Sequence, residues 1–280
     1  MKPLFGSSGL RALRTLVAER CLLAFDFDGT LAPLAPRPDA VVLDPVVRRL
    51  LVRLRSRTPV VIITGRRRDD ALRFFGSRPP VIIGNHGAEG VAGKRELRGA
   101  RAACAAWRDF LDPLLAETNG KAWLEDKAYS LTVHSHSPLV LRTLVGTIKG
   151  RHSLPRLRLV PGKASLNLLP AGLPDKGDAL RVVMKRTRCT RALYVGDDVT
   201  DEDAFFGGGA RIIGVHVGNK RGSRAAFSLS SQEEVPAFMR LLLSLFTTSP
   251  LRGEGRRKYQ RSSGRSREGR NHAVSSPRSR

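Results

Sequence analysis

The chain lacks the features that mark several structural classes. It has three cysteines, Cys21, Cys104 and Cys189, odd in number and far apart. That argues against a disulfide framework or a zinc cluster and fits a reducing compartment. No apolar run approaches the ~20 residues that span a bilayer. Nor does an apolar segment with a cleavage site precede the first strand-like stretch. The expectation is a cytoplasmic protein with no membrane partner. Aromatic residues make up 6% of the chain. Few look available for base stacking, and no nucleic-acid module stands out, so nucleic acid is not expected as a main partner. Acidic residues are outnumbered, 25 Asp/Glu against 49 Lys/Arg, for a net charge of +24. Such a balance attracts phosphorylated metabolites, nucleic acid or anionic lipid without choosing among them. Part of the excess is local, because residues 249–280 hold ten Lys/Arg and two Glu. This tail is rich in Arg, Ser and Gly and nearly empty of large apolar residues. It cannot bury enough surface to offset its ordering entropy, so it reads as disordered, with at most weak binding of nucleic acid.

What is present reads as strand, polar loop and helix in alternation. Cys21-Leu-Leu-Ala-Phe25 and Val60-Val-Ile-Ile63 are short apolar runs of the buried parallel-strand kind, and Val81-Ile-Ile83 is a third. Helices are expected over 9–18, 46–57 and 69–75. The pattern predicts an α/β fold with a parallel sheet, whose chemistry gathers at the carboxyl ends of its strands. The middle of the chain differs. It offers a helix at 100–116, two strands able to pair as antiparallel neighbours at 123–127 and 130–134, a helix at 139–150, and two short strands within 157–169. The α/β pattern then resumes with a helix near 178–185, strands at 192–195 and 211–217, and a helix at 233–246. The expected division is a catalytic core over residues 1–98 and 172–248, an inserted α+β cap over 99–171, and the tail over 249–280.

Four polar clusters carry chemistry. Asp26 and Asp28 follow the first strand two apart, which points both carboxylates to one side. One can attack while the other handles protons. Gly29 allows a sharp turn and close approach of an anion. A solvated Asp-Gly turn is the plain alternative. Gly196-Asp197-Asp198-Val-Thr-Asp201-Glu202-Asp203 crowds five carboxylates after an apolar strand. They repel unless a cation sits among them, which makes magnesium a candidate. The alternative is an acidic helix N-terminus. Thr64-Gly65-Arg66 offers a hydroxyl and free N–H groups for a phosphate oxygen, or an ordinary N-cap. Lys176, opening the returning helix, can relieve carboxylate repulsion and screen a phosphate, or lie on the surface.

Taken together, their order resembles the haloacid-dehalogenase-like phosphatase superfamily. Its Asp-x-Asp-Gly-Thr motif stands here as Asp26-Phe-Asp-Gly-Thr30, its Ser/Thr as Thr64, its Lys as Lys176, and its acidic motif as Gly196-Asp197-Asp198. The resemblance implies a Rossmann-like core with an inserted cap. It implies Asp26 as nucleophile, Asp28 as general acid and base, and Thr64 and Lys176 holding the phosphoryl oxygens. Mg2+ would lie between Asp26, the carbonyl of Asp28 and Asp197, with Asp198 and Asp201 as ligands through water or as supports. The run Gly84-Asn-His86-Gly-Ala-Glu89 further resembles trehalose-6-phosphate phosphatases. So do Leu124-Glu125-Asp-Lys127 with Ser130 and His134, Pro161-Gly-Lys163, Asp175-Lys-Gly177 and the segment ending Asp203-Ala-Phe205. This implies a sugar-phosphate substrate contacted by Gly65, Arg66, His86, Glu125, Lys127, His136, Lys163 and Asn167. His136 and Asn167 stand where the family usually has Arg and Glu. A phosphatase for another sugar phosphate or glycosyl-glycerate phosphate, and a phosphomutase, are the neighbouring readings.

Overall fold

A computed structural model describes residues 1–35, 37–77, 79–206, 209–219 and 222–248. The tail expected over 249–280 lies outside the described residues. The elements run β1 (Lys2–Pro3), α1 (Ser7–Val17), β2 (Cys21–Phe25), α2 (Pro45–Arg55), β3 (Val60–Ile63), α3 (Arg68–Leu72) and β4 (Val81–Ile83). Then come α4 (Lys94–Ala116), β5 (Ala122–Asp126), β6 (Leu131–Ser135), α5 (Pro138–Lys149), β7 (Leu157–Gly162) and β8 (Ser165–Pro170). The chain returns through α6 (Lys176–Thr187), β9 (Arg191–Gly196), α7 (Glu202–Phe206), β10 (Ile212–Val217), β11 (Phe227–Leu229) and α8 (Val235–Thr248).

The core is a seven-stranded sheet in the order β1-β11-β10-β9-β2-β3-β4. Every pairing in it is parallel. A sheet covered on both faces needs strands that are apolar on both sides, and all five residues of β2 are buried. Leu23, Phe25, Leu193 and Val195 face one layer, where they pack with α1, α2 and α8 through Leu13, Leu50 and Phe238. Leu22, Ala24, Ala192 and Tyr194 face the other, against Leu180 and Val183 of α6 and Phe205 of α7. The two-residue β1 and the short β11 carry no sequence run long enough to announce them. They close the far edge of the sheet.

The middle segment forms its own four-stranded antiparallel sheet, β5-β6-β8-β7. Its apolar face, with Leu131, Val133, Leu166 and Leu168, packs on Trp107 and Leu111 of α4 and on Leu144 and Ile148 of α5. The other face looks back toward the core. The expected boundary at 98/99 falls inside α4. That helix begins at Lys94 because the Gly93 N–H is capped by the Glu96 carboxylate at 2.6 Å, so Gly99 lies within it rather than ahead of it. Among the described residues no helix is long and apolar enough to cross a membrane.

The start of α6 is pressed against α7. A Cβ on Gly177 would collide with the main chain of Asp203, and a main-chain neighbour cannot rotate away. Gly177→Ala is therefore expected to cost about 1–3 kcal/mol. Differential scanning calorimetry should show a melting temperature lower by roughly 3–10 °C.

Candidate active site

The carboxyl ends of β2, β3 and β9 and the first turn of α6 converge. Asp26 ends β2 and is 5% exposed, with its N–H donating to the Val195 carbonyl at 2.8 Å. Lys176, 1% exposed, reaches Asp26 Oδ1 at 3.0 Å and Asp201 Oδ1 at 2.7 Å. Asp201 is fully buried, and both its oxygens are taken. Oδ1 also accepts the Tyr194 hydroxyl at 2.7 Å. Oδ2 accepts the N–H groups of Asp197 and Asp198 at 2.9 and 2.8 Å. Asp201 thus fixes both the lysine and the loop that presents Asp197. Asp197 in turn accepts Thr30 Oγ1 at 3.2 Å and Lys163 Nζ at 2.8 Å. Asp198 is half-buried beside it and lines the same cavity.

Asp26, Asp197 and Asp201 each offer an oxygen within 4.8 Å of the others. Burial, opposed by Lys176, pushes Asp26 well above the usual carboxylate range. Burial and the Asp201 charge push Asp197 up to about 6. Burial disfavours the charged form of Lys176, but Asp201 and Asp26 outweigh it and hold the ammonium well above its ordinary value. Raised carboxyls beside a paired lysine mean a site with excess negative charge, and a hard divalent cation relieves it. Because Asp201 has no lone pair to spare, Asp26 and Asp197 are the carboxylates available to such an ion. Gly29 makes room for this arrangement. Its φ is +79°, and a Cβ there would collide with the Asp197 carboxylate.

The remaining expected residues surround this floor. Arg66 Nε and Nη2 grip both oxygens of Asp28 at 2.7 and 2.6 Å, and Nη1 donates to the Pro38 carbonyl at 2.9 Å. The guanidinium also lies over the rings of Phe27 and Phe74. The Arg66 guanidinium thus fixes the Asp28 carboxylate bidentately. Thr64 is fully buried, and its hydroxyl accepts the Arg66 N–H at 3.1 Å. Gly65 lies under the His86 ring, leaving no room for a Cβ. His86 adopts a left-handed backbone with φ 57°. It is 7% exposed, and neither ring nitrogen has a partner. Burial, with the charges of Lys127, Lys176 and Arg158, holds it well below the usual histidine range, so it is neutral at pH 7. A strained, buried histidine with two unpaired nitrogens facing a cavity is built to meet a polar ligand.

The polar face of the antiparallel sheet closes the cavity, which has a volume of about 430 Å³. Glu125 accepts from His134 at 2.8 Å and pairs with Lys127 at 3.5 Å. Burial raises its carboxyl, but these two partners outweigh it and hold it below the ordinary value. Asn167 accepts the Thr132 hydroxyl at 2.9 Å. His136 and Lys163 also line the cavity. Contacts between the middle segment and the core here include Ser130 to Asn85 at 2.8 Å, Arg158 to Asp203 at 2.7 Å and to Asp175 at 3.8 Å, and Lys163 to Asp197. Of the residues that build the site, sequence reasoning missed the roles of Tyr194, Trp123 and Arg158. Tyr194 sits in an apolar strand and reads as core. Only its pairing with Asp201 distinguishes it.

Comparison with known proteins places this geometry. The trehalose-phosphatase family model matches residues 24–219. Trehalose 6-phosphate phosphatase RA3 of Zea mays is 30% identical over 80% of this chain and 70% of its own length. The trehalose-phosphate phosphatase of Mycobacterium tuberculosis is 30% identical over 85% of this chain, which spans 65% of that relative. Among solved structures, the C. albicans trehalose-6-phosphate phosphatase C-terminal domain aligns with a TM-score of 0.68 at 19% identity, over 87% of this chain and 98% of that one. A haloacid dehalogenase-like hydrolase from B. subtilis aligns with a TM-score of 0.52 at 18% identity, over 78% of this chain and 98% of that one.

Two outcomes follow from the network. Asp201→Ala leaves a buried ammonium with half its pairing and frees two N–H groups, so chemical denaturation should show a loss of about 3–5 kcal/mol. Asp197 holds a proton in the folded state that the unfolded chain releases between its ordinary 3.8 and about 6. Stability of the ion-free protein therefore falls as pH rises through that window. In chelator at pH 8, Asp197→Asn should be the more stable protein by up to about 3 kcal/mol. The gain should vanish at pH 4.

Proposed function

The chain belongs to the trehalose-phosphatase family, and we propose that it hydrolyses trehalose 6-phosphate by way of a phosphoryl group carried on Asp26. The observation that carries this reading is the buried Asp26–Lys176–Asp201–Asp197 network at the floor of a cavity lined by hydroxyl-seeking side chains. In the first step the Asp26 carboxylate attacks phosphorus. The bond from phosphorus to the sugar oxygen breaks as the bond to Asp26 forms, and Asp28 gives the leaving oxygen its proton. In the second step Asp28 takes a proton from water. That water attacks phosphorus, which frees phosphate and restores Asp26. Arg66 keeps the Asp28 carboxylate in a fixed orientation, and Lys176 and Thr64 hold phosphoryl oxygens in line.

Magnesium fits the donor set, since the groups are hard oxygens and the carboxyls are raised by burial and by one another's charge. Asp26, the main chain of Asp28 and Asp197 would hold it, with Asp198 and Asp201 supporting. When bound, it offsets the repulsion between an anionic nucleophile and an anionic phosphate. Residues 99–171 act as a cap that selects the sugar through Glu125, Lys127, His136, Lys163, Asn167 and, from the core, His86. Residues 1–98 and 172–248 carry the chemistry.

The test is phosphate release in magnesium from trehalose 6-phosphate and glucose 6-phosphate, with Asp26→Asn alongside. The expected result is a strong preference for the disaccharide, and a rate lower by ~10³-fold or more in the variant. Release that survives Asp26→Asn would rule out the carboxylate as nucleophile. Asp26-dependent release from another sugar phosphate alone would keep the chemistry and change the substrate.

A further inference from the structure

Trp123 is the aromatic among the large apolar side chains that the cavity leaves exposed, the other being Leu34. It is 44% exposed, while Trp107, the other tryptophan of the chain, is 2% exposed in the cap interior. Trp123 lies on the cavity wall and on the gap between the cap and the turn at Arg37, Pro38 and Asp39. One face of its indole stacks on His134, with ring centroids 4.0 Å apart and planes within 15°. His134 is itself held by Glu125 at 2.8 Å. The indole is therefore already ordered, while much of the residue stays exposed at the cavity. An exposed aromatic clamped in this way loses little side-chain freedom when something packs on it.

We propose that Trp123 is a stacking platform for the sugar ring remote from the phosphate and the residue that sets preference for the disaccharide phosphate over a hexose phosphate. The inference rests on the reading of the site as a sugar-phosphate phosphatase. Asp26 fixes the phosphate at the floor. Lys127 sits near that floor, buried and close enough to His86 and Glu125 to affect both. Trp123 lies four residues back along the same extended segment, ~13 Å away at about 3.3 Å per residue. A single pyranose, with bonds of about 1.5 Å, covers less than half of that span. Two linked rings reach it. The C–H face of a pyranose is apolar and carries partial positive charge, and it suits the negative face of an indole. The polar residues between, Glu125 and Lys127, then meet the hydroxyl edge.

The experiment uses the full chain in magnesium. In the Asp26→Asn background, trehalose 6-phosphate should shift and quench tryptophan emission, glucose 6-phosphate should not, and Trp123→Leu should abolish the response, because Trp107 is out of reach. In the active protein, Trp123→Leu should lower the ratio of kcat/KM for trehalose 6-phosphate over glucose 6-phosphate about tenfold, mainly through KM. Trp123→Phe should recover most of it. An unchanged ratio, or emission that ignores the disaccharide, overturns the platform. If no sugar phosphate is hydrolysed in an Asp26-dependent way, the phosphatase reading fails, and the emission response alone decides whether Trp123 stacks on a disaccharide phosphate.

Discussion

Everything at the catalytic end of the sheet hangs on one buried carboxylate. Asp201 accepts four donors from three places: the lysine that opens α6, a phenol on β9, and the two N–H groups that follow β9. It ties the helix layer, the central strand and the acidic loop to a single atom pair. The cost of burying this charge is offset only because every lone pair is used. The consequence is directional. With Asp201 saturated, Lys176 must turn its remaining hydrogen-bonding capacity toward Asp26, and Asp197 is left facing Asp26 with its charge only partly met.

Above the floor, the two sheets share the work unequally. The core supplies groups that act on phosphorus whatever the leaving group is. The cap supplies Glu125, Lys127, His134, Asn167 and Trp123, which lie on alternate positions of neighbouring strands and so on one face. These groups bind to one another before any ligand arrives: Glu125 with His134, Asn167 with Thr132, the indole with the imidazole. Such mutual bonds fix the face in advance and reduce what a substrate must order. Cross-contacts through Ser130, Arg158 and Lys163 reach core residues that are themselves at the site or next to it. The cap's position is thereby coupled to the geometry of the catalytic loops.

The legible part of this was set by short-range physics. Buried parallel strands are apolar on both faces, so Cys21–Phe25, Val60–Ile63 and Val81–Ile83 announced themselves to the residue, and the carboxylates after them marked the site's end of the sheet. The illegible part is long-range. Nothing in a two-residue segment at Lys2–Pro3 says that it pairs with Phe227 and Ser228, because register there is decided by a partner over two hundred positions away. The same holds for Tyr194. Alternation puts it on a buried face, and only the fold puts a carboxylate 2.7 Å from its hydroxyl. Arg66 shows a subtler limit. Its position after a strand suggests a main-chain contact with phosphate, and nothing in the sequence tells that its guanidinium pairs with Asp28, with Pro38 and two aromatic rings completing its surroundings.

The two departures from the family pattern acquire a physical sense in this setting. Asn167 sits in the middle of β8 and is 6% exposed, with its amide bonded to Thr132 and, more weakly, to the Val160 carbonyl. A glutamate at that depth would bring a further negative charge into the wall that already holds Glu125, whose partners are Lys127 and His134. The neutral amide avoids that conflict and keeps the hydrogen-bonding capacity. His136, in place of an arginine, gives up a fixed charge and reach on the same wall. A platform such as Trp123 supplies what that wall then lacks, because stacking needs area and orientation rather than charge. Recognition that shifts from ion pairing to stacking loses little to salt screening and still discriminates by the number of rings.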